Sequence, residues 1–296
     1  MYAVVTTIFW GVWGATIEIP EKAGFPATLG YTVWAFTMIP PALVALRIIN
    51  WKLEYDWPSI LKGSIIGFLG AGGQLILFKT LAIGPAYLVF PIISLSPVLT
   101  VTLAMVFLRE KATSIGWIGI ILALIAIPLL SYQPAERNIV EGYLWLVLAF
   151  LVFGAWGVQA FVMRVANIKM KAESIFFYMM ATGIALIPIA LLMTDFTQEI
   201  NWGFKGPYLA AMIMILNSIG ALCLVYALRY GKAIIVSPMI NALAPVLTVI
   251  ISLAIYAVIP HPVIATGIVF ALVAAFLMAR EDAGEAEISA VKDTQG

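Results

Sequence analysis

Ten stretches of nearly unbroken apolar residues follow one another along the chain. They lie at about 2–19, 29–49, 60–80, 85–107, 114–131, 142–162, 174–193, 207–228, 233–257 and 263–279. A helix needs roughly 20 such residues to cross a bilayer core. Short polar connections separate them: Glu21-Lys22, Asn50 to Pro58, Arg109 to Thr113, Gln133 to Glu141, Asn167 to Glu173 and Thr194 to Lys205. The third and fourth stretches meet at a tight Gly84-Pro85 hinge, the eighth and ninth at Gly231-Lys232. Pro85 suits the first turn of a new helix. The first stretch has no cation before Lys22 and no small-residue cleavage site, so it reads as a retained span. The pattern predicts an all-α polytopic membrane protein with ten transmembrane helices.

Composition agrees. Apolar residues make up 63% of the 296 residues, charged ones 10%, and mean hydropathy is +1.06. Soluble domains run near 45–50% and about 25%. A net charge of +1 leaves no basic footprint for nucleic acid. The single Cys223 forms no internal disulfide, and the single His261 builds no His-rich metal site. Charge gives a sidedness. With the N-terminus cytoplasmic, twelve of the 16 Lys and Arg fall inside, leaving Lys22, Lys79, Arg137 and Lys205 outside. Ten spans put both termini in the cytoplasm of a multi-pass inner (plasma) membrane protein. The acidic tail at 281–296 reads as solvated and mostly disordered.

The two halves resemble each other. Gly11-Val12-Trp13-Gly14 matches Gly154-Ala155-Trp156-Gly157. Pro97-Val98-Leu99-Thr100-Val101 recurs as Pro245-Val246-Leu247-Thr248-Val249. Gly84-x-Ala86 with Pro91 matches Gly231-x-Ala233 with Pro238. The chain therefore divides into a five-helix repeat at 1–131, a linker at 132–141, a second five-helix repeat at 142–280 and a tail at 281–296. Five is odd, so the second repeat enters the membrane the opposite way up. Such inverted repeats are the architecture of alternating-access carriers.

Ten short spans, the Gly-x-Trp-Gly of each first helix and the Pro-Val-Leu-Thr-Val of each fourth helix resemble the drug/metabolite transporter superfamily, and within it the EamA-like ten-helix carriers. Phe107-Leu-Arg-Glu-Lys, followed by Gly116 and Gly119, is similar to the "GE" end of that family's fourth helix. Arg109 stands where the family often has Gly. The second half has no such Glu, reading Tyr256-Ala-Val-Ile-Pro-His-Pro. The resemblance implies a secondary carrier with a central cavity lined by both halves. Sugar and ureide carriers share the plan.

Polar side chains near a bilayer centre are costly and point to function. Candidates for substrate binding are Gln74, Ser94, Gln159, Asn217 and Asn241, with Trp13, Trp156 and Tyr226 as deep aromatic surfaces. Helix-to-helix hydrogen bonding is the competing role. Glu18 and Lys79 are the ionisable residues placed within spans. They form a candidate outer gate or ion-coupling pair, with protons as the coupling ion if Glu18 is buried. Pro91, Pro97, Pro238 and Pro245 free backbone carbonyls that a solute or a neighbouring side chain would satisfy. No P-loop, zinc motif, magnesium-binding aspartate motif or catalytic group is present, so neither an enzyme nor a cofactor is expected. The expected partners are the lipid bilayer and a small neutral or zwitterionic metabolite, exported. Uptake of a sugar or ureide-like solute is the alternative.

Overall fold

The computed structural model describes residues 1–83, 86–132, 142–256 and 261–295, and no strand occurs among them. Among the described residues, seven helices are long and apolar enough to cross a membrane: α1 (Tyr2–Lys22), α2 (Ala27–Ile48), α3 (Trp57–Leu81), α6 (Leu144–Ala166), α7 (Ala172–Leu192), α8 (Phe204–Tyr230) and α9 (Ala233–Ile251). Three shorter apolar helices, α4 (Ile92–Phe107), α5 (Ser114–Leu130) and α10 (Pro262–Met278), complete ten. The Gly84-Pro85 hinge, most of the linker and the segment just after Tyr256 lie outside the described residues.

Local sequence sets the helix ends and breaks. Asp56 opens α3, accepting from the Ser59 hydroxyl at 2.7 Å and its amide at 3.0 Å. Those bonds hold the Asp56 carboxyl below the usual carboxylate range. α2 breaks at Met38, just before Pro40 and Pro41, and α7 breaks at Leu186, just before Pro188. The two breaks fall at corresponding places in the repeats. The fourth span, expected as one helix, is two: Ala86–Ser94 and Ser96–Phe107, with Pro97 opening the second. α9 runs unbroken through Pro238 and Pro245. The tail departs from expectation: the helix that starts at Pro262 continues to Gln295. Its Ala and Glu content (Ala283, Ala286, Ala290, Glu281, Glu285, Glu287) has high helix propensity, which explains the extension.

The most extensive packing runs between the halves. α1 packs on α8 and α9, α6 packs on α3 and α4, α3 also packs on α7, α8 on α2, and α5 on α10. Glycines set many close approaches, and six of them come in pairs. A Cβ at Gly11 would lie 2.5 Å from the Leu247 Cβ, and one at Gly157 2.8 Å from the Leu99 Cβ. Gly220 lies against Trp10, and Gly73 lies against Trp156. Gly119 faces Met278 and Leu277 on α10, while Gly267 faces Leu129 and Leu130 on α5. Within each pair, 146 to 148 residues separate the members, so a single pseudo-two-fold relates all three interfaces.

Hydrogen bonds repeat with the glycines. Thr248 Oγ1 donates to the Gly11 carbonyl at 3.1 Å, and Thr100 Oγ1 donates to the Gly157 carbonyl at 2.9 Å. The two recurring sequence motifs are therefore the two sides of one interface that the fold uses twice. This corrects the sequence alignment by one helical turn. Gly11 corresponds to Gly157, not Gly154, and Trp10 corresponds to Trp156, not Trp13. Gly154 itself touches nothing that a Cβ would meet. The outer surface exposes Phe36, Leu43, Phe68, Val106, Phe150 and Phe276, as a lipid-solvated bundle should.

Gly157→Ala should destabilise the protein, because Leu99 and the Ser96 carbonyl must both yield. The expected loss is about 1–3 kcal/mol, read as a fall in unfolding temperature in detergent. Gly154→Ala, in open space, should leave it within about 0.5 kcal/mol.

Candidate functional site

Two clusters of aromatic and amide side chains lie in mid-helix, one on each side of the pseudo-two-fold. In the first, α1, α2 and α8 meet. Trp10 Nε1 donates to the Asn217 carbonyl at 3.2 Å, and Trp34 Nε1 donates to Asn217 Oδ1 at 2.8 Å. An indole N–H can only donate, so the side-chain atom facing Trp34 must be the amide oxygen. That fixes Nδ2 with its two hydrogens, for which no protein acceptor occurs among the described residues. Thr37 gives its proton to the Trp34 carbonyl at 2.8 Å, so at 3.0 Å the Ser218 hydroxyl donates to Thr37. Trp13 Nε1 points at Met214 Sδ, 3.3 Å away.

The second cluster joins α3, α6 and α7. Trp156 Nε1 donates to the Gly70 carbonyl at 3.3 Å, repeating the bond from Trp10 to Asn217. The Gln159 amide lies directly on Gly70 and has no hydrogen bond among the described residues. Gly63, Gly67, Gly70 and Gly73 present a smooth face to Tyr178, Thr182, Gln159 and Trp156 in turn. Packing is thus the first role of the glycine-rich third span. The clusters share a backbone plan and differ in chemistry. Where α8 carries Asn217, α3 carries Gly70. Where α6 carries Gln159, α1 carries Trp13. Neither cluster contains a charged side chain.

The other candidates are dispersed. Gln74 is half-buried on α3 without a hydrogen bond among the described residues. Ser94 ends the first segment of α4, one residue before its break at Leu95. Asn241 turns its amide onto its own helix, donating to the Ser237 carbonyl at 2.9 Å. Tyr226 stands apart from both clusters. Its hydroxyl donates to Glu173 Oε1 at 2.6 Å, and its ring stacks on Tyr2 at 4.8 Å, near the face that carries the N-terminus. The Glu18–Lys79 pair does not form. Glu18 is exposed and pairs with Lys22 four residues on, while Lys79 is exposed on α3. The reason is local: the helix restarts after Ile17, and its i,i+4 spacing brings Lys22 to Glu18.

Comparison with known proteins settles the family. The EamA-like transporter family profile matches residues 1–132 and 142–280. The chain belongs to the EamA-like transporter family. A crystal structure, titled only as that of a protein, shares the fold at a TM-score of 0.75. It covers 94% of this chain and 98% of its own, at 16% identity. The uncharacterized protein MJ1333.1 of Methanocaldococcus jannaschii is 44% identical over 59 residues, which is 20% of this chain and 43% of that protein.

The family's helix end also explains itself physically. After α4, the Glu110 amide reaches back to the Ala104 carbonyl, six residues earlier, at 3.3 Å. The residue before it must then turn left-handed, and Arg109 does so, with φ of 54°. Glycine makes that turn without Cβ strain, hence its frequency in EamA-like sequences. The turn aims Glu110 back across the bundle, where it meets Arg164 at 2.9 Å and the Ile234 amide at 3.2 Å. Sequence reasoning does not place Trp10, Trp34, Thr37 or Arg164 among the site residues. The correct register of the repeats is the signal that pairs Trp10 with Trp156, while sequence alone marks Arg164 only as one of the twelve inside charges.

Arg109→Gly should relieve the left-handed strain and stabilise the protein by about 1 kcal/mol. A rise in unfolding temperature of detergent-purified protein checks it. Arg109→Val should lower that temperature.

Proposed function

We propose that this EamA-like protein is a secondary carrier that moves a small neutral or zwitterionic organic metabolite by alternating access. One observation carries this: two related clusters, each built from helices of both repeats, hold amide groups with unused hydrogen-bonding capacity beside tryptophan rings, with no charged side chain among them. Tryptophan faces take planar or apolar parts of a solute, and the amide donors take its carbonyl or carboxylate oxygens. An unpaired charge entering such a site would lose its hydration without compensation. A zwitterion carries both signs and keeps part of its own neutralisation.

The membrane is the cytoplasmic one, with both termini inside, supported by twelve of the 16 Lys and Arg falling on that side. Export is the direction suggested by family resemblance. The work is transport without covalent chemistry. Amides beside indole faces also suit a sugar or ureide, so uptake of such a solute is the second reading.

A thermal-shift panel of amino acids, nucleobases, sugars and ureides at millimolar concentration tests it. A ligand at 100 times its Kd should stabilise the protein by about 2.7 kcal/mol. Asn217→Asp keeps an oxygen for Trp34 but replaces the donor amide by an acceptor. It should cut the affinity of a carbonyl-bearing hit by tenfold or more. A hit among amino acids or nucleobases supports the first reading, and one among sugars or ureides the second. A flat panel, with no counterflow of any panel solute in liposomes, would overturn both.

A further inference from the structure

The face that carries the N-terminus is fastened by a buried ion pair, and no such pair between helices occurs among the described residues of the opposite face. Glu110, its side chain 8% exposed, accepts from Arg164 Nε at 2.9 Å through one oxygen and from the Ile234 amide at 3.2 Å through the other. Arg164 Nη1 donates further to the carbonyls of Leu228 at 3.0 Å and Arg229 at 3.1 Å. One carboxylate and one guanidinium thus tie together the ends of α4, α6 and α8 and the start of α9. α4 belongs to the first repeat and the other three to the second.

The pseudo-two-fold gives this pair no counterpart. Applied to Arg164, the spacing that relates Gly11 to Gly157 leads to Glu18, which pairs with Lys22 on its own helix. Applied to Glu110, the spacing that relates Leu99 to Leu247 leads to Val258, which has no charge. Across the opposite face the described contacts are neutral: Asn201 Nδ2 donates to the Ala23 carbonyl at 2.9 Å, and Thr194 donates to Thr28 at 2.7 Å.

We infer that Glu110 and Arg164 form a one-sided ionic latch, which holds the N-terminal face closed and opens when α4 separates from α6 and α9. The inference rests on the alternating-access reading. Separation costs the charge-assisted bonds, but water admitted by the opening resolvates both ions, so the latch is reversible. The described contacts across the opposite face carry no such charge-assisted bond. The latch therefore biases the carrier toward the closed N-terminal face.

Cysteine labelling tests this on the full chain in a Cys223→Ala background. Ser237→Cys reports the N-terminal face, since Ser237 is buried one turn beyond Ile234. Ala210→Cys, buried against Phe25 and Leu29, reports the opposite face. Glu110→Gln and Arg164→Gln should each speed maleimide labelling of Ser237→Cys at least tenfold and leave Ala210→Cys unchanged or slower. Combining them should add little to the larger single effect, because both cut one interaction. Unchanged labelling at Ser237→Cys would overturn the latch. So would a rise at both reporters, which marks general loosening. Labelling needs no solute, so a failure of transport assays would count against the carrier reading and leave this result standing.

Discussion

The bundle depends on two glycine carbonyls. Gly11 and Gly157 each receive a threonine hydroxyl from the fourth helix of the other repeat, and each lies against a leucine that leaves no room for a side chain. In lipid, no hydrophobic force draws one apolar helix to another. Close van der Waals contact and interhelical hydrogen bonds must do it, and both need the backbones to approach. Remove the space at either glycine and both terms weaken together. Because each glycine belongs to one repeat and its threonine to the other, neither repeat supplies this contact alone.

That constraint also shapes what can vary. The contacts obeying the pseudo-two-fold are backbone contacts and small residues: Gly73 and Gly220, Gly119 and Gly267, the indole bonds of Trp10 and Trp156. The side chains that break it are polar. Asn217 opposes Gly70, Gln159 opposes Trp13, and Arg164 opposes Glu18. On the alternating-access reading proposed above, a shared scaffold supplies two similar packings, and the unshared side chains bias solute choice and the preferred packing. Bistability of this kind needs near-equal alternatives and a small bias, since a few kcal/mol separates populated from unpopulated states.

Much of the fold was legible because bilayer thickness is a strong constraint. Ser114–Leu130 was anticipated as 114–131, and Ala172–Leu192 as 174–193. The breaks at Met38 and Leu186 were visible as Pro40, Pro41 and Pro188, but a span-length reading does not resolve them. The repeat was found one turn out of register because Gly11 and Gly14, like Gly154 and Gly157, are three residues apart. A slip of three keeps nearly the same helix face, so similarity alone cannot tell the two alignments apart. Only the partner across the interface can. Of the candidate site, Trp13, Trp156, Gln159 and Asn217 fall in the two clusters. Tyr226 does not, because depth along a span is poorly fixed by sequence when its partners, Glu173 and Tyr2, lie far away in the chain. Glu18 was misread for the same reason: a local i,i+4 partner outcompetes a remote one whose distance is unknown.

The placement of charge has a further consequence for the cycle. The described carboxylates that are most buried, Glu110 and Glu173, both sit at helix ends rather than in mid-span. Rearrangement of the helices then moves no bare charge through the hydrocarbon, where the cost would be several kcal/mol. It instead wets or dries charges already near water, where desolvation and pairing nearly cancel. A mid-bundle carboxylate would have made the centre responsive to protons but hostile to neutral solutes when ionised. With amides in its place, the proposed alternating-access cycle keeps the same polarity at the centre in both packings, and concentrates the energetic difference between them at the faces.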